Sequence, residues 1–137
     1  MKQNRKRIIL ILLVVAIVFA LFLSNGVIIL SNEAATLHLA GSTINDSDKR
    51  VTQTLTNAET RNVKWILAFG EYQADGAGCP FSEDTSIAFG DRIIAVSTDD
   101  CPTVWDITNN KYYTLSESSK DYIDSLFEKY AGCFPAP

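Results

Sequence analysis

Three cysteines, Cys79, Cys101 and Cys133, are the residues best placed to form a covalent link. They lack the closely spaced Cys pairs of a zinc site, and the one histidine, His38, is distant from all three in sequence. A Cys–His nucleophilic pair would require that histidine to fold back onto the cysteine region. An odd number of thiols permits at most one bridge within the chain. Cys79 precedes and Cys101 follows a stretch that reads as a hairpin, and the flanks of a hairpin approach each other. A disulfide needs Cα atoms within about 7 Å. The leading pair is therefore Cys79 with Cys101, which would constrain the unfolded chain by about 3 kcal/mol. Cys101 with Cys133 is the rival, and three reduced, buried thiols are the third reading.

Carboxylates cluster beside two of these cysteines, at Glu83-Asp84 and at Asp99-Asp100. If Cys79 and Cys101 are joined, the four form a candidate cation-binding set, since oxygen-rich clusters hold calcium. Their spacing matches no EF-hand loop, and Asp is also common in turns for backbone reasons. The sequence has no Gly-rich phosphate loop and no Gly-x-Ser-x-Gly. No catalytic residue, structural metal or cofactor is expected, and the chain reads as a non-enzyme. Trp65, Trp105, Tyr112, Tyr113 and Phe127 read as core and sheet-face residues. Alternate side chains of a strand face opposite ways. Either Tyr112 or Tyr113 must therefore point away from a helix-covered face, as a candidate contact residue.

These residues need a scaffold. Arg50 to Thr56 alternates as a short strand. Thr56-Asn57-Ala58-Glu59 has the form of a capping box opening a helix to about Phe69, with Val63, Ile66 and Leu67 as its buried stripe. Ser86–Phe89 and Arg92–Thr98 read as strands turned by Gly90-Asp91. Thr103–Ile107 and Lys111–Leu115 read as a second hairpin about Thr108-Asn109-Asn110. Ser116 or Ser118 caps a last helix to about Tyr130, with Tyr122, Ile123, Leu126, Phe127 and Tyr130 on one face. Lys129, late in that helix, suits its dipole and reads as exposed. The order β-α-β-β-β-β-α predicts an α+β domain, a small antiparallel sheet packed by two helices.

Ahead of this domain, Ile8 to Leu23 is uninterruptedly apolar, and Val27 to Leu30 resumes the pattern after Ser24-Asn25-Gly26. About 20 apolar residues cross a bilayer as a helix. Residues 8–30 are therefore expected to form a transmembrane helix. Lys2, Arg5, Lys6 and Arg7 make residues 1–7 a basic cytoplasmic tail. Residues 31–49 read as a linker and 50–137 as the extracytoplasmic domain. The location expected is the cell membrane, single-pass, with the amino end inside. A cleaved signal would also be basic and then apolar, but Glu33-Ala34-Ala35 and His38-Leu39-Ala40 each place an unsuitable residue at the distal position of a cleavage site, and Asn32-Glu33-Ala34 is tolerable at best. Residues 31–137 hold eight of the twelve basic and all sixteen acidic residues, a net charge of −8. That argues against nucleic-acid partners and against anionic lipid surfaces, both of which need Lys/Arg clusters.

Cys79-Pro80-Phe81, Ser86-Ile87-Ala88-Phe89, Asp99-Asp100-Cys101-Pro102, Lys111 to Ser116 and Phe127 to Gly132 together resemble small uncharacterised membrane-anchored extracytoplasmic domains of Gram-positive bacteria. The resemblance covers about half the chain. It implies location and fold, not activity. The function expected is a membrane-anchored extracytoplasmic interaction or sensory module whose partners are the membrane and another membrane or surface protein. The alternative is an extracytoplasmic binding protein for a cation or small ligand.

Overall fold

The computed structural model describes residues 2–23, 25–40, 50–76 and 78–132, with the side chains of residues 2, 3 and 21–23 left aside. Helix α1 (Lys2–Leu23) is followed by strands β1 (Thr36–Ala40) and β2 (Arg50–Thr54), helix α2 (Asn57–Ala68) and strand β3 (Glu71–Gln73). Strands β4 (Thr85–Phe89), β5 (Arg92–Val96), β6 (Thr103–Asp106) and β7 (Lys111–Thr114) come next, then helix α3 (Glu117–Ala131). The seven strands form one antiparallel sheet in the order β2-β1-β4-β5-β6-β7-β3. The α+β class and both expected hairpins are therefore present. The sheet has two strands more than the sequence reading allowed.

The first of these, β1, lies inside the expected linker. Leu37 and Leu39 alternate with half-buried Thr36, His38 and Ala40, and both leucines are in the core. The strand is wedged between β2 and β4. The second, β3, is a three-residue edge strand on β7. The domain also begins earlier than position 50. The Val27 side chain is fully buried, and its N–H donates to the Leu67 carbonyl of α2 at 2.9 Å. Helix α1 consequently stops at Leu23, a turn follows at Asn25, and Val27 to Leu30 joins the domain instead of prolonging the helix. The expected helix over 8–30 is shortened for that reason. Among the described residues, no helix is long and apolar enough to cross a membrane.

Turn chemistry fixes the hairpins. Gly90 joins β4 to β5 at φ 59°, a backbone that costs glycine nothing. Asn110 takes φ 51° between β6 and β7, which Asn tolerates better than most residues. The register pairs Val104 with Tyr113 and Trp105 with Tyr112. Val104 and Tyr113 are buried in the core with Ile94, Val96, Ile123 and Phe127, whereas Trp105 and Tyr112 belong to the opposite face. Tyr112 is thus the tyrosine that points away from the helices.

Both helices use the caps read from the sequence. Thr56 Oγ1 accepts the Glu59 N–H at 3.2 Å, and Glu59 Oε2 accepts the Thr56 N–H at 2.9 Å. Ser116 caps α3 by accepting the Ser119 N–H at 3.2 Å. Glu59 does more than cap. It is buried and accepts hydrogen bonds from Lys129 at 2.7 Å and from the Tyr130 hydroxyl at 2.9 Å. The start of α2 is thereby tied to the end of α3. Lys129 is more than half exposed yet has this partner, so it is not the idle surface residue the sequence suggests.

Burial opposes the charge on Glu59, but the hydrogen bonds from Lys129, Thr56 and Tyr130 outweigh it and hold the carboxyl at about 2, below its ordinary 4.5. A depressed folded-state value means the carboxylate's contribution is complete above about 4.5 and is lost as pH falls toward about 2. Urea unfolding at stepped pH should show stability declining across that window, and the decline should be shallower in Glu59→Gln. Equal acid slopes in the two proteins would contradict the network. The Leu126 side chain is buried beneath the same helix, and Leu126→Ala should cost about 2–5 kcal/mol in that assay.

Candidate functional site

The chain between β3 and β4, described at residues 74–76 and 78–84, runs from the β3 edge of the sheet to its interior. It passes over the face opposite the helices. Phe81 lies against Trp105 and Tyr112, with ring centroids 6.1 and 5.8 Å away, and Trp105 stacks on Tyr112 at 6.0 Å. Beneath this strap Ser86, Ala95 and Thr103 are buried although no helix covers them. Its middle is held in two ways. The Thr98 N–H donates to the Pro80 carbonyl at 3.1 Å, and Cys79 is bridged to Cys101 with Cα atoms 5.9 Å apart. The expected pairing is present. Cys133 lies outside the described residues.

The carboxylates near this bridge do not assemble as a cation site. Among the described residues there is no group of three or more His, Cys, Asp or Glu that could hold a metal ion. Glu83 and Asp84 line one hollow, and Asp100 lines another beside α3. Asp99 has a different task. Its Oδ1 accepts the Ser97 hydroxyl at 2.5 Å and the Cys101 N–H at 2.9 Å. The Ser97 bond leads in holding the Asp99 carboxyl below its ordinary value. This is the local turn role of an Asp side chain, and it presents Cys101 to Cys79.

Lys120 extends the same support to α3. It is almost fully buried, donates to the Asp99 carbonyl at 2.9 Å, and reaches both oxygens of Asp124 at 2.7 Å. A buried ammonium is costly unless paired in this way. The i, i+4 spacing of Lys120 and Asp124 is a signal visible in sequence, but the sequence reading left it unused. The strap, the disulfide turn and α3 are consequently one connected unit.

The hollow lined by Glu83 and Asp84, about 290 Å³, also takes in His38, Arg50, Thr52 and Ser86. His38 and Ser86 are opposite each other on β1 and β4, and His38 Nδ1 is 3.3 Å from Thr52 Oγ1. The sequence reading placed His38 in a linker, so it could not see this grouping. The hollow is open and gathers cationic, acidic and hydroxyl groups, which suits hydrogen bonding to a polar ligand. Comparison with protein-family models, curated proteins and solved structures finds no match.

Peptide mapping of the unreduced protein should yield a linked pair carrying Cys79 and Cys101. Cys101→Ser should lower stability by about 3 kcal/mol, the worth of closing a loop of this length. A Cys101–Cys133 peptide would overturn the pairing.

Proposed function

We propose that this chain is a single-pass membrane-anchored interaction or sensory module whose domain lies outside the cytoplasm, without enzymatic activity of its own. The Cys79–Cys101 bridge carries the reading. Structural disulfides persist in oxidising, extracytoplasmic compartments. The sequence ahead of the domain supports it: Lys2, Arg5, Lys6 and Arg7 precede sixteen apolar residues from Ile8 to Leu23. On α1 the side chains from Ile8 to Phe19 are largely exposed, and a row of exposed aliphatic residues on every side of a helix suits lipid. The resemblance of its motifs to small extracytoplasmic domains of Gram-positive bacteria supports this reading. The surface offered to a partner is the disulfide-held strap, where Phe81, Trp105 and Tyr112 are half-buried. Rigid aromatic residues of this kind are enriched in protein interfaces.

A second reading, binding of a small polar ligand, is favoured by the hollow around His38 and Arg50.

Intact cells expressing the chain with a tag at each end provide the test. External protease should remove the C-terminal tag and leave the N-terminal one, which becomes accessible only after the cells are opened. A mature protein beginning near Ala35, or a C-terminal tag shielded in intact cells, would refute the anchored reading.

A further inference from the structure

We infer that the outward face of α2, centred on Trp65, rests on the outer surface of the bilayer, with its apolar side chains at the boundary between headgroups and acyl chains. The inference rests on the anchored reading above and adds the orientation of the domain.

The first argument is reach. Helix α1 ends at Leu23 and Val27 is already buried against α2. The three residues between them span about 10–14 Å at most. The junction has no slack beyond that. Gly26 is packed against the Ala68 carbonyl so closely that a Cβ on it would lie 2.1 Å from that oxygen. Past the junction, Arg92 donates to the Ile28 carbonyl at 2.8 Å, and Lys64 donates to the Ser31 carbonyl. A helix spanning the membrane would therefore hold the end of α2 at the interface.

The second argument is composition. The stripe that α2 turns away from the sheet carries Trp65 and Phe69, stacked with ring centroids 5.7 Å apart and exposed by 49% and 51%. Ile28, 43% exposed, and Leu30, 88% exposed, lie on the segment that leads into the domain. Ile28 shares a shallow hollow of about 230 Å³ with Trp65, Arg61 and Lys64. Tryptophan favours the membrane interface because its ring is apolar and its N–H is polar. Arg61, exposed at the rim, supplies a cation for lipid phosphates. Two of the few basic residues of an otherwise acidic domain thus sit beside its exposed tryptophan. Aromatic and basic residues on one helix face mark segments that lie in the plane of a membrane surface.

Full-length protein in phosphatidylcholine vesicles tests this. Trp105→Phe leaves Trp65 as the only tryptophan. Flotation of the vesicles reports anchoring, and circular dichroism reports folding. Trp65 emission should be blue-shifted, should lose most of its intensity with lipids brominated near the headgroup, and should resist aqueous acrylamide. The same quenching should disappear in Trp65→Phe, which carries the test if Trp105→Phe fails to fold. Protein that floats while Trp65 stays open to acrylamide and untouched by brominated lipid overturns the docking and leaves the anchor standing. Trp65 shielded from both quenchers, and exposed when excess empty vesicles dilute the protein, makes a second copy the occupant and overturns it as well. Protein that does not float overturns the anchored reading and the docking with it.

Discussion

A sheet with apolar or small residues on both faces must be covered twice, and the described residues supply one layer of helices for it. That constraint organises the rest of the domain. Helices α2 and α3 take the face bearing Leu37, Ile87, Ile94, Val96, Val104 and Tyr113. The other face, with Ala95, Ser86 and Thr103, is closed by the segment after β3, which at residues 74–76 and 78–84 has no regular structure of its own. An irregular segment must be ordered without the repeating backbone hydrogen bonds that help a helix offset its conformational entropy. A covalent tie answers that deficit because it removes freedom from the unfolded chain as well. The bridge is thus part of how the second face is closed.

The support behind the bridge is polar, and each group has a partner. Asp99 shapes the turn that carries Cys101, Lys120 holds the Asp99 carbonyl, and Asp124 neutralises Lys120. A similar arrangement recurs at the other end of the sheet. Asp106, fully buried, accepts from Arg92 at 2.6 Å and from the side chain and backbone of Asn109 at 2.9 and 3.2 Å. Arg92 in turn holds the Ile28 carbonyl. Breaking a buried pair by removing one partner is expensive because the other charge stays behind. These pairs therefore give specific positions to segments that the apolar core alone would leave free to slide: the strap through Lys120, and the junction with α1 through Arg92.

Much of this was legible in the sequence where the chemistry is local. The capping box at Thr56 and Glu59, the serine cap of α3, the glycine and asparagine turns and the apolar stripe of α3 each depend on residues within a few positions of one another. The bridge was legible because a hairpin brings its flanks together whatever the rest of the fold does. What escaped depends on distant partners. Thr36 to Ala40 alternates well enough for a strand, but its polar surroundings and its place after an apolar segment made it read as a linker. Only β2 and β4, one on each side, reveal it as an interior strand. Glu71 to Gln73 carries no pattern at all and is a strand only because β7 offers an edge. The four carboxylates near the cysteines were grouped by sequence proximity. The structure gives Asp99 to the turn that carries Cys101, and Glu83 and Asp84 line a different hollow from Asp100.

The displaced start of the domain has the widest consequence. With Val27 in the core, only three residues separate α1 from the folded part, so a domain following a membrane helix could not tumble freely above the lipid. Its orientation would be set by which face lies nearest the junction, and that is the exposed stripe of α2. The strap and the hollow around His38 occupy the opposite side of the sheet, across the thickness of the helix layer. A bilayer below α2 leaves that side turned outward. The residues that complete the core at the junction would then also decide which surface of the domain a partner can reach.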